Sequence, residues 1–437
     1  MFDWRRKKAT AGRKAGKKQP KSSDIDEVLV IPNHFRCPIS LDLMKDPVTL
    51  SSGITYDREN IEKWLEAGNF TCPVTNMVLK SFDQVPNHTL RMMIQEWCVE
   101  NKNYGVERIP TPRIPVTGVE VSQILHNLTA LAKKLDQSGC LELLNKIKKW
   151  GFESERNKRC IVANGTAAVL ASALDAFAAE SIQKNVCFLE EILSSLNWMF
   201  PLDNEAQTSL RSLSSLRCMV WFMKNGDTSA KQNAVLVLKE ISCDEQHYAE
   251  TLMDLHGGEI LFQFLKQPIS RTITKASLMV IFSAISSNER VKSAFIEMGV
   301  APLLLNLIID GEKHVCEIAL GVFDRLCDNN QMRQEAYENA LTLPILVKKI
   351  LRVSELATEY SVSTVWKLSK YEKQNEGRVL VEALQVGIFQ KLVLLLQCGC
   401  EDKTKEKATE LLKLLNPYRA GLECIESADF KNLKRSF

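Results

Sequence analysis

The sequence predicts a small α+β unit over residues 31–104, followed by an all-α array of stacked repeats over 120–430. Three observations lead there. Cys37-Pro38-Ile39-Ser40 returns 35 residues later as Cys72-Pro73-Val74-Thr75. From Leu143 onward, a triplet of core-type side chains recurs every 41–47 residues. Between these regions, residues 105–119 hold Gly105, Pro110, Pro112, Pro115 and Gly118. Prolines that dense suppress helix and favour extended backbone, so this stretch reads as a semi-rigid linker.

Length and composition allow both units. The chain has 437 residues, 45% hydrophobic and 25% charged, enough for more than one core. Its net charge of +3 is unevenly spread. Residues 1–30 form a basic tail, with Arg5, Arg6, Lys7, Lys8 and five further Lys/Arg set against Asp3 near its start. The tail reads as disordered, serving either as a nuclear-import signal or as a solubilising segment. The rest carries a small negative charge, so no nucleic-acid-binding body is expected. Thirteen cysteines lie scattered in apolar stretches without a disulfide framework, which suits buried thiols in a reducing compartment. Neither an export signal nor a transmembrane segment is expected. The expected location is cytoplasmic, with a nuclear share if the tail is an import signal.

In the first unit, Val48 and Leu50, the turn Ser51-Ser52-Gly53, then Ile54 and Tyr56 alternate as a β-hairpin. Asp57 is the candidate N-cap of a helix that places Ile61, Trp64 and Leu65 on one side and ends near Gly68. A loop follows Pro73. Asn87 then caps a second helix carrying Leu90, Met93, Ile94, Trp97 and Cys98 at amphipathic spacing.

In the second unit the triplets are Leu143/Ile147/Trp150, Leu189/Leu193/Leu196, Ala234/Leu238/Ile241, Leu278/Phe282/Ile285, Ala319/Phe323/Leu326, Ser361/Val365/Leu368 and Ala408/Leu412/Leu415. Gly165, Gly258, Gly299 and Gly387 each open an apolar helix ahead of such a triplet. All-helical repeats of this length fit an armadillo or HEAT solenoid of about six to seven units. Stacked neighbours bury what one unit cannot and leave a groove for a partner. Trp198, Trp221 and Trp366 lack a repeating partner Asn, which argues against a nuclear-transport receptor.

The paired Cys-Pro motifs look like zinc knuckles whose second thiol has become a hydroxyl. A zinc ion takes about four Cys or His ligands. Residues 30–105 offer only Cys37, Cys72, Cys98, His34 and His88. No metal and no cofactor are therefore expected, and hydrogen bonds and packing must hold the loops. Cys37 and Cys72 show no His/Asp partner at a recognisable spacing, so no covalent catalytic residue is assigned.

Residues 31–104 resemble a U-box, the zinc-free relative of the RING finger. The match is carried by Ile31-Pro32, Phe35 to Ser40, Met44 to Val48, Gly53 to Arg58, Ile61 to Leu65, Cys72 to Thr75 and Pro86 to Leu90. A U-box followed by armadillo repeats is similar to the plant U-box ubiquitin ligases. The resemblance implies a ligase that recruits a conjugating enzyme charged with ubiquitin. Ubiquitin then passes directly to a lysine of a protein substrate held by the repeats. It also implies conjugating-enzyme contacts at Ile39 and Leu41 in the first loop, Trp64 on the helix and Pro73 in the second loop. The ubiquitin-clamp position, basic in many RING-like ligases, falls on Asn76. Ser40, Asp57, Arg58, Thr75 and Asn87 are read as structural hydrogen-bonding residues. Two alternatives stay open: Ile39 as a core residue, and Trp64 as buried beside Ile61 and Leu65. At the level of the whole chain, the alternative is a non-enzymatic armadillo scaffold with an inactive U-box. U-box homodimerisation is a further expectation that no residue here decides.

Overall fold

The computed structural model describes residues 31–110, 115–242, 246–372 and 377–419, so the basic tail and its lysines lie outside the described residues. The chain divides into two compact units, one up to Ile114 and one from Pro115 onward.

The first unit is built around a three-stranded sheet in the order β2-β1-β3. Strand β1 (Pro47–Thr49) pairs antiparallel with β2 (Thr55–Asp57), placing Val48 opposite Tyr56 and Thr49 opposite Thr55. Period-two alternation buries Val48 and Tyr56 and leaves the two threonine hydroxyls bonded at 2.8 Å on the other face. Gly53 makes the turn with φ +78°. A short β3 (Val85–Pro86) closes the free edge of β1, inside a segment the sequence had suggested was loop. Two residues ending in proline give no alternation to read.

Helix α1 (Arg58–Glu66) follows β2 directly, and α2 (His88–Glu100) packs below the sheet. Asn87 Oδ1 caps α2 by accepting from Leu90 N at 3.0 Å. The buried stripe of α2 is narrower than its periodicity suggests: Ile94 and Cys98 are buried, whereas Met93 faces outward. The Pro-rich stretch is anchored at both ends of its described part. Ile109 joins the core of the first unit, and Val116 joins that of the second.

In the second unit, seven helices correspond to the triplets: α3 (Gln137–Glu153), α4 (Val186–Asn197), α5 (Thr228–Ile241), α6 (Arg271–Ser287), α7 (Lys313–Leu326), α8 (Glu355–Lys370) and α9 (Asp402–Arg419). Each of them from α4 onward packs on the one before it. Four triplets are fully buried: those starting at Leu189, Ala234, Ala319 and Ser361. The other three slip in register. Leu144, Ile281 and Leu411 take the core places expected of Leu143, Phe282 and Leu412, and Trp150 is also only half-buried. An adjacent apolar pair on a helix leaves the choice to packing, and in α6 the β-branched Ile281 goes inside.

Gly165, Gly299 and Gly387 precede their helices in the left-handed region, where a side chain is strained. At the fourth site the turn residue is His256, with φ +60°, and Gly258 is already buried inside the helix. Among the described residues, no single helix is long and apolar enough to cross a membrane.

Candidate functional site

The two Cys-Pro loops share one hydrogen-bond pattern, offset by 35 residues. In the first, Cys37 N–H donates to Asp42 O, Leu41 N–H to Cys37 O, and Met44 N–H to Phe35 O, at 2.8–2.9 Å. In the second, Cys72 N–H donates to Met77 O, Asn76 N–H to Cys72 O, and Leu79 N–H to Phe70 O, at 2.8–3.0 Å. The fifth residue of each loop is left-handed: Leu41 at φ +63° and Asn76 at φ +55°. Asparagine tolerates that region, whereas for leucine it costs roughly 1–2 kcal/mol. Asn76 therefore satisfies a backbone demand of the second loop.

Each loop is closed at its base by a thiol. Cys37 Sγ accepts from Asp57 N at 3.3 Å and from Asn60 Nδ2 at 3.6 Å. Asn60 Nδ2 also reaches Ser40 Oγ at 3.1 Å, tying α1 to the first loop. Cys72 Sγ lies 3.0 Å from Tyr56 Oη, which accepts from Val74 N at 3.3 Å. Burial pushes the Cys72 thiol up, but hydrogen bonds from Ser52, Thr75 and Tyr56 outweigh it and bring it down to about 6. Ser52 Oγ has no partner of ordinary geometry, so the weight falls on Thr75 and Tyr56. Burial, and then the bond to Cys72, raise the Tyr56 phenol, so it keeps its proton and donates the hydrogen bond to Cys72 Sγ. Both sulfurs are 0% exposed, out of reach of a thioester on another protein. Among the described residues, no group of three or more His, Cys, Asp or Glu is placed to hold a metal ion.

A carboxylate clasp completes the first loop. Asp57 Oδ1 accepts from Lys45 N at 2.9 Å and Asp46 N at 2.7 Å. Asp57 stands at the N-cap position of α1 but makes no side-chain cap there, because its carboxylate is spent on this loop. Arg58 Nε binds Asp46 Oδ2 at 2.6 Å, and its Nη1 reaches Gln84 at 3.2 Å. Asn87 Nδ2 reaches Thr49 and Thr55, each at 3.4 Å, from the cap of α2.

Helix α1 therefore joins the two loops. Asn60 holds the first, and one turn later Trp64 Nε1 donates to Thr71 O of the second at 2.8 Å. Asn60 and Trp64, four residues apart, share a helix face, so both loops are tied to one side of α1. Ile39 is 36% exposed and Leu41 67%, while Trp64 and Pro73 are half-buried. Trp64 is thus a strut as well as a surface. Val74, also exposed, adjoins Pro73.

Sequence reasoning missed Asn60, Tyr56 and Asp46 as braces. Only the chain's return past both thiols reveals them, although Tyr56 was legible as core. The site is a small apolar surface on a frame braced by hydrogen bonds, with chemistry suited to docking.

Two family models match. "U-box domain" covers residues 31–103, and "Plant U-box protein ARM repeat region" covers residues 120–435. The chain is 43% identical to the U-box domain-containing protein 21 of Arabidopsis thaliana, over 95% of each sequence. It is 42% identical to U-box domain-containing protein 20 of the same plant, over 96% of this chain and 95% of that protein. It is 36% identical to the E3 ubiquitin-protein ligase PUB23 of Arabidopsis thaliana, over 89% of this chain and 94% of the relative.

Proposed function

The chain belongs to the plant U-box family with armadillo repeats, and from that premise we propose that Ile39, Leu41, Trp64 and Pro73 form its contact with the ubiquitin-charged conjugating enzyme. The protein is a ubiquitin-protein ligase whose armadillo repeats are the substrate-binding region. One observation carries the assignment. The two loops are pinned to opposite ends of α1 by Asn60 and Trp64, which leaves apolar side chains exposed on both loops. Such a surface, small and with an aromatic at its centre, suits a partner that must leave after each transfer.

Transfer needs no ligase nucleophile. The conjugating enzyme brings its own thioester, and the ligase holds it beside the substrate on one particle. Binding both raises the effective concentration of the acceptor lysine to the millimolar range or above, about what a short tether gives. Asn76 supplies hydrogen bonds but no charge at the clamp position, so proximity carries more of the acceleration than electrostatic clamping does. We place the protein in the cytoplasm, with a nuclear share through its basic tail.

The test is self-ubiquitination of the full chain with a panel of charged conjugating enzymes, comparing wild type with Ile39→Ala. Ile39→Ala is expected to abolish chains and shift the melt by only a few degrees, because the side chain is not enclosed. A melt lowered by ten degrees or more would return Ile39 to the core and remove the contact assignment. Trp64→Ala alone decides less, since it also deletes the bond to Thr71.

A further inference from the structure

Phe282, displaced from the core of α6 by Ile281, lines a cavity of about 360 Å³ with Met279, Ile318, Gly321, Leu356 and Tyr360. The cavity spans α6, α7 and α8, with Lys239 of α5 at one edge and Glu317 of α7 at another. Gly321, in the middle of α7, also lines it. A Cβ there would lie 3.0 Å from the Tyr360 ring and 3.1 Å from Phe282. Glycine lets the two rings pack directly against the backbone of α7, with centroids 6.3 Å apart and planes tilted by 59°, and they form an apolar wall of the cavity. The space admits one large aliphatic or aromatic side chain.

Leu356 also lines a second cavity, of about 780 Å³, between α8 and α9. Three carboxylates border it, Glu355, Glu359 and Glu401, against one cation, Arg352. Thr404, 3% exposed, lines the same cavity, and its Oγ1 has no hydrogen-bond partner. Burial, then the neighbouring Glu401, push the Glu359 carboxyl up, and Lys407 and Lys403 offset this only in part. Two carboxylates that crowd one another beside an unsatisfied hydroxyl fit a donor-rich cation.

Packed helices lie about 8–10 Å apart, which an extended chain crosses in roughly three residues. We propose that these two cavities, which share Leu356, bind an extended segment of a substrate protein, seating a large apolar side chain against Phe282 and Tyr360 and, about three residues along, a lysine or arginine against Glu355, Glu359 and Glu401. The inference rests on the repeats being the substrate arm and names the sequence class that arm selects.

The experiment uses the full chain and short fluorescein-labelled peptides in a Gly/Ser background, carrying Phe and Arg three positions apart. Control peptides replace Phe by Ser or Arg by Glu. Polarisation titrations compare wild type, Phe282→Ser and Glu401→Lys. The two-anchor peptide is expected to bind at least about tenfold tighter than either control. Glu401→Lys should erase that gain and favour the Glu-bearing peptide, and Phe282→Ser should erase the preference for Phe. The proposal is overturned if the two-anchor peptide binds no tighter than the Gly/Ser background, or if neither variant changes its affinity. Self-ubiquitination is read on the same samples. Chains formed without peptide selectivity sink the groove assignment alone, whereas selectivity without chains sinks the ligase reading alone.

Discussion

Replacing Asp57 by alanine should open the first loop and silence the ligase without touching its docking surface. Asp57 is 9% exposed, and its carboxylate receives the Lys45 and Asp46 amides at 2.9 and 2.7 Å. Each charge-assisted bond contributes roughly 1.5–3 kcal/mol, and each amide left buried without a partner costs about 1–3 kcal/mol. The bonds and the stranded donors describe one loss seen from two sides, so for the two bonds the expected destabilisation is about 3–6 kcal/mol. Domains are stable by only about 5–15 kcal/mol, so this is enough to melt a unit of some 80 residues locally. Hydrogen exchange read by mass spectrometry on the full chain localises the effect. Peptides spanning Cys37 to Asp46 should lose protection in Asp57→Ala, while those from α5 and α7 keep theirs. Self-ubiquitination should fall with the protection, and Asp57→Asn, which keeps an acceptor oxygen, should recover part of both. Unchanged protection at Lys45 and Asp46 in Asp57→Ala would refute the clasp.

Four further outcomes can be checked with simple assays. The Cys72 thiol is held near 6 in the fold against about 9 when free, so its contribution to stability is full above about pH 9 and is lost as pH falls through 6. The first unit should therefore melt higher at pH 8.5 than at pH 5.5, and Cys72→Ser should flatten that difference relative to wild type. A metal chelator should leave both the melt and the transfer rate of wild type unchanged, and a melt lowered by chelation would restore a metal to the loops. Asn76→Arg should speed transfer several-fold in single-turnover assays, despite a local strain of roughly 1–2 kcal/mol at a left-handed residue; an unchanged rate would dissociate this position from the clamp. In the repeats, Leu238→Ala removes a fully buried side chain and should cost about 2–5 kcal/mol in chemical denaturation while leaving α1 and its loops intact.

Both units were legible in the sequence because each is written in a strong local code. The hairpin showed in Val48 and Tyr56, the cap of α2 in Asn87, and the repeats in triplets such as Ala234/Leu238/Ile241. What escaped depends on choices between near-equivalent neighbours or on contacts distant in sequence. Leu144 against Leu143, Ile281 against Phe282 and Leu411 against Leu412 differ by 100° on a helix, and only stacking against the next repeat decides between them. Asp57 reads as a helix cap, since aspartate before a helix usually is one, but here the backbone donors of Lys45 and Asp46 claim its oxygens. Asn60 and Tyr56 look unremarkable along the chain because their partners lie 16–23 residues away.

The two loops, offset by 35 residues, are braced by hydrogen bonds at the places where a zinc knuckle would draw thiolates to a metal. A zinc ion bridges knuckles by drawing thiolates from both to one point. Here each knuckle keeps one sulfur, and each sulfur is served by its own donors. Cys37 has the Asp57 amide and Asn60; Cys72 has Tyr56, aided by Thr75. The donors to Cys37 and the Tyr56 donor to Cys72 come from one continuous segment, Tyr56 to Asn60, at the end of β2 and the start of α1. That segment takes over the bridging role. A point contact between two loops becomes a strand-to-helix corner that touches both, and Trp64 extends it one turn further to the second loop. Separate donors also separate the failure modes. Losing Asn60 should loosen the first loop, with Ile39 and Leu41, while leaving Pro73 in place. Losing Tyr56 should do the reverse. If instead Asn60→Ala and Tyr56→Phe unlock both loops equally in hydrogen exchange, the two knuckles share one cooperative brace, and the corner is that brace.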